Sequence, residues 1–373
     1  MKHISKLERI LKQHFGWHKS RIDCFSQMLL ALMVAQTVNL TKLAVQVSTN
    51  AKLENRYRRL QRFFSGCRID YDAVARFIFW LFRFEGKKIC LTLDRTNWKW
   101  GKKDINILCL GIVYKGVAIP IYWILLRSKG NSSTPMRIAL IKRFIKTFGK
   151  ANITGILGDR EFVGKRWFGW MSDEKIPFYI RIKNDAITFN HYGKDICASW
   201  LFYHLKYGDK KIISPTKKIY GCQLYLTGAR SPNGDLMMIV SNIKSDDAIE
   251  KYCTRWEIET LFQCLKGRGF HFEATHMTNR FRIKKLVVLL AIAFCWAHKV
   301  GQWQAINKKP IRIKKHGRPS KSIFRYGLDL IHDAMVQLVS TVRRIVHMIR
   351  VFEDPPEDHP SYFLHHSVKL RIF

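Results

Sequence analysis

The chain has 373 residues, with 65 Lys and Arg against 28 Asp and Glu, a formal net charge of +37. Apolar residues at 47% and aromatics at 13% exclude a wholly disordered chain and supply material for two or three domains. So large an excess of cations excludes a cationic or neutral partner and favours a polyanion, nucleic acid ahead of an anionic membrane surface.

In chain order, residues 1–86 read as a helical DNA-binding domain. MLLALMVAQ and AVARFIFWLF are dense enough for helix cores, and between them Asn39 can cap a short helix while Asn50 can open another. That second helix carries Lys52, Arg56, Arg58, Arg59 and Arg62, so the pair is similar to a helix-turn-helix reader. The pattern changes near Lys88. KICLTLDRTNW, INILCLGIVYKG and VAIPIYWILL read as three strands, followed by a helix from Pro135 to Phe148, a strand ITGILGD, a helix GKRWFGWMSDE and a strand PFYIRIKN. The order β-β-β-α-β-α-β is that of an α/β, ribonuclease-H-like core, its first part over 87–184. Residues 185–244 alternate apolar positions around the turn SPNGD and read as a β-rich insertion. Residues 245–304 return as helices, the second part of the core. Residues 305–373 form a basic linker, KKHGRPSK within it, and a C-terminal helical region with one last amphipathic helix. That linker could also lie in an AT-rich minor groove.

Nine scattered cysteines without a Cys-x-x-Cys exclude a zinc ribbon and suit a reducing cytosol. The N-terminus lacks the apolar stretch of a signal peptide, and the run Leu286 to Ala297 is too short to cross a bilayer, so a cytoplasmic protein without a membrane partner is expected.

The most informative segment is 246–266, read as one helix. Tyr252, Arg255, Glu259 and Lys266 fit Y-x2-R-x3-E-x6-K and fall within an arc of about 60° on a helix, while Ile258, Leu261, Phe262 and Leu265 lie opposite and can face a core. A carboxylate flanked by cations can be a solvated salt-bridge ladder. On the residues alone that ladder is the ordinary reading of the pattern. Asp94 closes the alternating run KICLTLD and Asp159 closes ITGILG, and strand ends are where sites in parallel sheets form. Capping of a helix before REFVG is the alternative for Asp159, and a turn before Arg95-Thr96-Asn97 the alternative for Asp94. Asp104 and Glu161 are set aside, the first as part of a charged turn, the second as a first-turn helix residue.

On these residues the chain resembles bacterial cut-and-paste DDE transposases of the insertion-sequence-four family. LTLDRTNWKWG, ILGDREFVGKRWFGWM, the Tyr-Arg-Glu-Lys spacing, GRGFHFEATHMT and HGRPSKSIFRYGLDLI carry the resemblance, which extends from about Lys88 to Leu330. It implies Asp94, Asp159 and Glu259 as catalytic acids and metal ligands. The expected cofactor is two Mg²⁺ ions, for which Mn²⁺ can substitute, since Mg²⁺ takes a few carboxylates with water and phosphate oxygens. Tyr252, Arg255, Trp256, Lys266, Arg95, Trp98 and Arg160 are the expected DNA contacts, cations for phosphates and aromatics for unpaired bases, although Trp256 could also be a core tryptophan. The resemblance further implies double-stranded DNA as partner (terminal inverted repeats and target DNA), a homodimer in a synaptic complex, a hairpin intermediate, an insertion that helps to handle it, and a nucleoid-associated bacterial location. The rival of another class is a catalytically inactive DNA-binding regulator derived from a transposase, which would lack an acid.

Overall fold

A computed structural model describes residues 2–127, 129–336 and 341–356. Helices α1 (Lys2–His14), α2 (Lys19–Ala35), α3 (Leu40–Gln46), α4 (Leu53–Gly66) and α5 (Tyr71–Leu81) come first. Then follow β1 (Ile89–Trp100), β2 (Lys103–Tyr114), β3 (Val117–Leu125), α6 (Thr134–Phe148), β4 (Ile153–Gly158), α7 (Lys165–Asp173) and β5 (Phe178–Ile182). The strands β6 (Ile187–Phe189), β7 (Asp195–Cys197), β8 (Lys210–Ile219), β9 (Cys222–Arg230) and β10 (Leu236–Ser241) precede α8 (Ala248–Cys253), α9 (Glu257–Leu265), α10 (Arg280–Asn307), α11 (Ile323–Val336) and α12 (Thr341–Ile349). The described residues divide into two units: residues up to 85 with 97–106 and 261–356, and residues 86–96 with 107–260.

The second unit is built on a sheet ordered β3-β2-β1-β4-β5-β10-β9-β8. β1, β4 and β5 run parallel, and β2 and β3 pair antiparallel at one side. The expected strand and helix order over 87–184 is present. Three strands of the segment read as a β-rich insertion extend the main sheet: β10 pairs with β5, β9 with β10 and β8 with β9. The reason is the fully buried run Leu236–Ser241, which needs neighbours on both edges and both faces. Only β6 and β7 form a sheet of their own. The SPNGD segment makes the expected tight turn, with Gly234 at φ 93° and Ser231 N–H donating to the Asp235 carbonyl at 2.9 Å.

In the first unit the N-terminal helices do not stand alone, because the C-terminal helices cluster with them. α10 is buried along most of its length, including the apolar run 286–297, and no single helix among the described residues is long and apolar enough to cross a membrane. Helices α10 and α11 cross closely at Gly301 and Gly327, where a Cβ on either would overlap the facing helix's backbone. The C-terminal region holds two helices, α11 and α12, where one was expected; residues 357–373 of that region lie outside the described residues.

Asn39 caps α3 as expected, its side chain accepting from Thr41 N–H at 3.0 Å and Lys42 N–H at 3.3 Å. Asn50 does not open α4, whose cap position is Lys52. Two cations of the α4 basic face are spent within the fold, while Lys52, Arg58 and Arg62 are exposed. Arg56 donates to the carbonyls of Val47 (3.0 Å), Thr49 (2.5 Å) and Ala51 (2.8 Å), closing the C-terminal end of α3. Arg59 pairs with Asp23. The segment KKHGRPSK, between α10 and α11, makes a turn: Lys314 N–H donates to the Arg318 carbonyl, Ser320 N–H to the Arg312 carbonyl, and Gly317 has φ 76°.

Candidate active site

The site belongs to the second unit and starts from the register of two parallel strands. Leu93 of β1 stands opposite Gly158 of β4, so Asp94 and Asp159 are each the next residue on neighbouring strands. Gly158 is needed there, because a Cβ would come within 3.1 Å of both Ile180 and Phe162. Asp159 follows the end of its strand, as expected. Asp94 does not end a strand, since β1 continues to Trp100. What ends at Leu93 is the pairing with β4, which leaves the carboxylate uncovered on that side. Neither alternative role holds: Asp94 lies inside a strand, and the cap position of α7 is Gly164, not Asp159. Each acid instead accepts the backbone N–H of its successor, Arg95 on Asp94 and Arg160 on Asp159, both at 2.7 Å. That contact engages Oδ1 of each carboxylate.

The expected single helix 246–266 is broken into α8, a 3-10 segment Thr254–Trp256 and α9. The break re-aims Arg255. Its side chain, 8% exposed, donates to Asp94 Oδ2 at 2.9 Å and to Glu259 Oε1 at 2.6 Å. One guanidinium therefore joins the acid of β1 to the acid of α9. Burial alone would lower the Arg255 pKa; Tyr252, Asp94 and Glu259 around it reverse this and drive it upward. Burial pushes the Asp94 carboxyl up to about 6 against the opposing pull of Arg255 and the Arg95 N–H. Tyr252 lies in the core cluster with Leu157, Tyr179 and Ile239, its hydroxyl 3.5 Å from Asp159 Oδ1, and burial pushes it up to about 12. Glu257, the other carboxylate opening α9, is structural: it accepts the N–H groups of Tyr114 (2.6 Å) and Gly116 (2.9 Å) and closes the β2–β3 turn.

The other expected contacts divide by what holds them. Trp256 is 59% exposed, so it is not a core tryptophan, and Arg160 is half-exposed beside Asp159. Arg95 is largely shielded from solvent: Nε and Nη2 pair with Glu161, Nη2 also reaches Asn131 Oδ1 at 3.0 Å, and Nη1 reaches the Gly130 carbonyl at 2.6 Å. Lys266 and Trp98 belong to the first unit. There the Lys266 ammonium bonds Glu273 at 2.7 Å and the Asn97 carbonyl at 3.2 Å, and Trp98 packs on Phe272 at 4.6 Å between ring centres.

Glu161, set aside on sequence, precedes α7 rather than opening it and is the partner of Arg95. Arg137 gave no sequence signal, being one cation among 65. It is 4% exposed, its guanidinium donating to Ser132 Oγ at 2.8 Å and to the Glu161 carbonyl at 3.0 Å, and burial lowers its pKa to about 10. The Asp-Arg-Glu run at 159–161 was the available signal for Glu161.

The donor set of Asp94, Asp159 and Glu259 is hard carboxylate oxygen, which suits Mg²⁺ or Mn²⁺ in kind. No group of three His, Cys, Asp or Glu side chains among the described residues is gathered closely enough to hold an ion, and Arg255 bonds two of the three acids. The residues fit the metal by chemistry, with a guanidinium serving as their counter-charge.

Residues 85–296 match the family described as the transposase DDE domain, and the chain belongs to that family. The cryo-EM structure of the piggyBac transposase synaptic complex with hairpin DNA is similar at 14% identity, covering 96% of this chain and 84% of that one, with a TM-score of 0.48. No curated protein matches.

Proposed function

We propose that the protein is a DNA transposase of the insertion-sequence-four type, with a ribonuclease-H-like core in β1–β5, that cuts the terminal inverted repeats of its element and joins the freed 3′-OH ends to target DNA. The observation that carries this is the Leu93–Gly158 register, which sets Asp94 and Asp159 side by side, with Glu259 joined to Asp94 through Arg255. Asp94, Asp159 and Glu259 would hold two Mg²⁺ ions. When bound, these supply Lewis-acid activation of water and neutralise charge at the leaving oxygen. Tyr252 supports Asp159 from the core, and the backbone N–H groups of Arg95 and Arg160 keep the carboxylates aimed. Trp256 and Arg160 present a ring and a cation to the DNA end, where stacking on an unpaired base contributes about 1–3 kcal/mol. A hairpin forms when the freed 3′-OH attacks the opposite strand. Two protomers, one per end, make the synaptic complex, in the bacterial cytoplasm at the nucleoid.

The test is a labelled duplex carrying the element's native end, incubated with Mg²⁺ and resolved on a denaturing gel into nick, hairpin and joined product. Asp94→Asn, Asp159→Asn and Glu259→Gln should each reduce cleavage by about a thousandfold or more, while end binding stays near wild type because cations supply the affinity. Full cleavage by any one of the three sinks the site assignment.

A further inference from the structure

Beside the three acids lies a charged group that the cleavage chemistry leaves without a task. Arg95 directly follows Asp94, and Glu161 stands two residues after Asp159. Their side chains meet in a bidentate pair, Nε to Oε1 at 2.6 Å and Nη2 to Oε2 at 2.5 Å, with exposures of 15% and 20%. Two parallel hydrogen bonds in one plane fix orientation as well as distance, which a Lys–carboxylate pair does not. The same Arg95 holds Gly130 and Asn131, while Arg137 holds Ser132 and the carbonyl of Glu161. Three segments are thus tied together: the β1 acid, the β4 acid, and the loop between β3 and α6.

The tie acts on the carboxylates through the backbone. Arg95 N–H holds Asp94 and Arg160 N–H holds Asp159, so a shift of either segment would turn a catalytic carboxylate. Stability alone is a weak reason for such a pair, since a shielded ion pair is often replaceable by apolar packing at no loss. The geometry points to Arg95 and Glu161 as positioning residues that set the separation and aim of Asp94 and Asp159. This inference rests on the transposase reading.

The experiment compares Glu161→Gln and Arg95→Lys, which keep size but lose the two-pronged pairing, with Asp159→Asn and the wild type. Four quantities are read: thermal midpoint, affinity for duplex carrying the native end, single-turnover cleavage of that duplex, and Mn²⁺ affinity by electron paramagnetic resonance without DNA. Both positioning variants should fold and bind duplex near wild type. Their cleavage rate and Mn²⁺ affinity should each fall about 10–100-fold, the usual cost of removing an outer partner of a ligating group. Arg95→Ala with Glu161→Ala should lose no more than the worse single variant, as expected for one shared interaction. Wild-type cleavage and Mn²⁺ affinity in Glu161→Gln overturn the inference, as does a loss that only tracks the unfolded fraction. An inactive Asp159→Asn beside a fully active Glu161→Gln rejects the positioning role alone. An active Asp159→Asn rejects the site assignment on which the positioning role rests, and a wild type that cleaves no duplex end rejects the transposase reading itself.

Discussion

Two helical segments carry the most conspicuous charge patterns in this chain, and they use their arginines differently. On α4 the basic face looks outward in sequence, yet Arg56 closes the end of α3 through three carbonyls and Arg59 pairs with Asp23. In the α8–α9 segment Arg255 is turned inward onto two carboxylates. Arg56 satisfies orphan carbonyls at a helix end, whereas Arg255 balances charge in a buried acidic group. A basic residue in a helical stripe is therefore no DNA contact until its guanidinium is shown to be unspent.

The largest stability effect is expected where that balance is removed. Arg255→Ala leaves Asp94 and Glu259 without their shared cation, and should destabilise the protein by about 3–5 kcal/mol in urea unfolding. A loss under 1 kcal/mol would erase the distinction between the two helices. Arg56→Ala should cost less, about 1–2 kcal/mol, because it only returns carbonyls near the surface to water. A loss as large as that of Arg255→Ala would make capping the dominant use of arginine here.

Acidity sharpens the comparison from the α4 side. Burial, then the hydrogen bond its protonated form donates to the neighbouring Asp23 carboxylate, pushes the Glu8 carboxyl up to about 7. An acid with a raised folded pKa adds stability that is present below pH 4.5 and lost as pH rises through about 7. Wild type should accordingly lose stability relative to Glu8→Gln between pH 5 and 7.5, read as diverging urea midpoints. Parallel midpoints would show that Glu8 carries no such burden. The smallest effect is expected at Arg58, an exposed cation of α4. Arg58→Ala should change stability by less than about 0.5 kcal/mol and reduce the salt slope of DNA binding by about one. An unchanged slope would leave α4 as packing and capping alone.

Much of the second unit was legible because its signals are local. The three apolar runs after Lys88 alternate or stay buried as strands do, and the helix from Pro135 to Phe148 begins with a proline in its first turn. The acids Asp94, Asp159 and Glu259 were legible by spacing and resemblance. Less legible was anything requiring two distant segments. That three strands of 185–244 join the main sheet was not legible, because alternation does not say which sheet a strand joins. Glu161 looked like a helix opener because its partner is 66 positions away. Trp256 was undecided between core and surface until the break at Thr254–Trp256 turned its ring outward.

By itself the sequence determined the strongly cationic charge and the strand and helix order of the core, since composition and periodicity are properties of a single chain. The tertiary structure alone decided which cations are spent inside the fold, how the last three strands extend the sheet, and that one arginine bridges Asp94 and Glu259. Those outcomes depend on which groups are forced together when water is excluded, and a buried charge or carbonyl takes the nearest partner the packing offers.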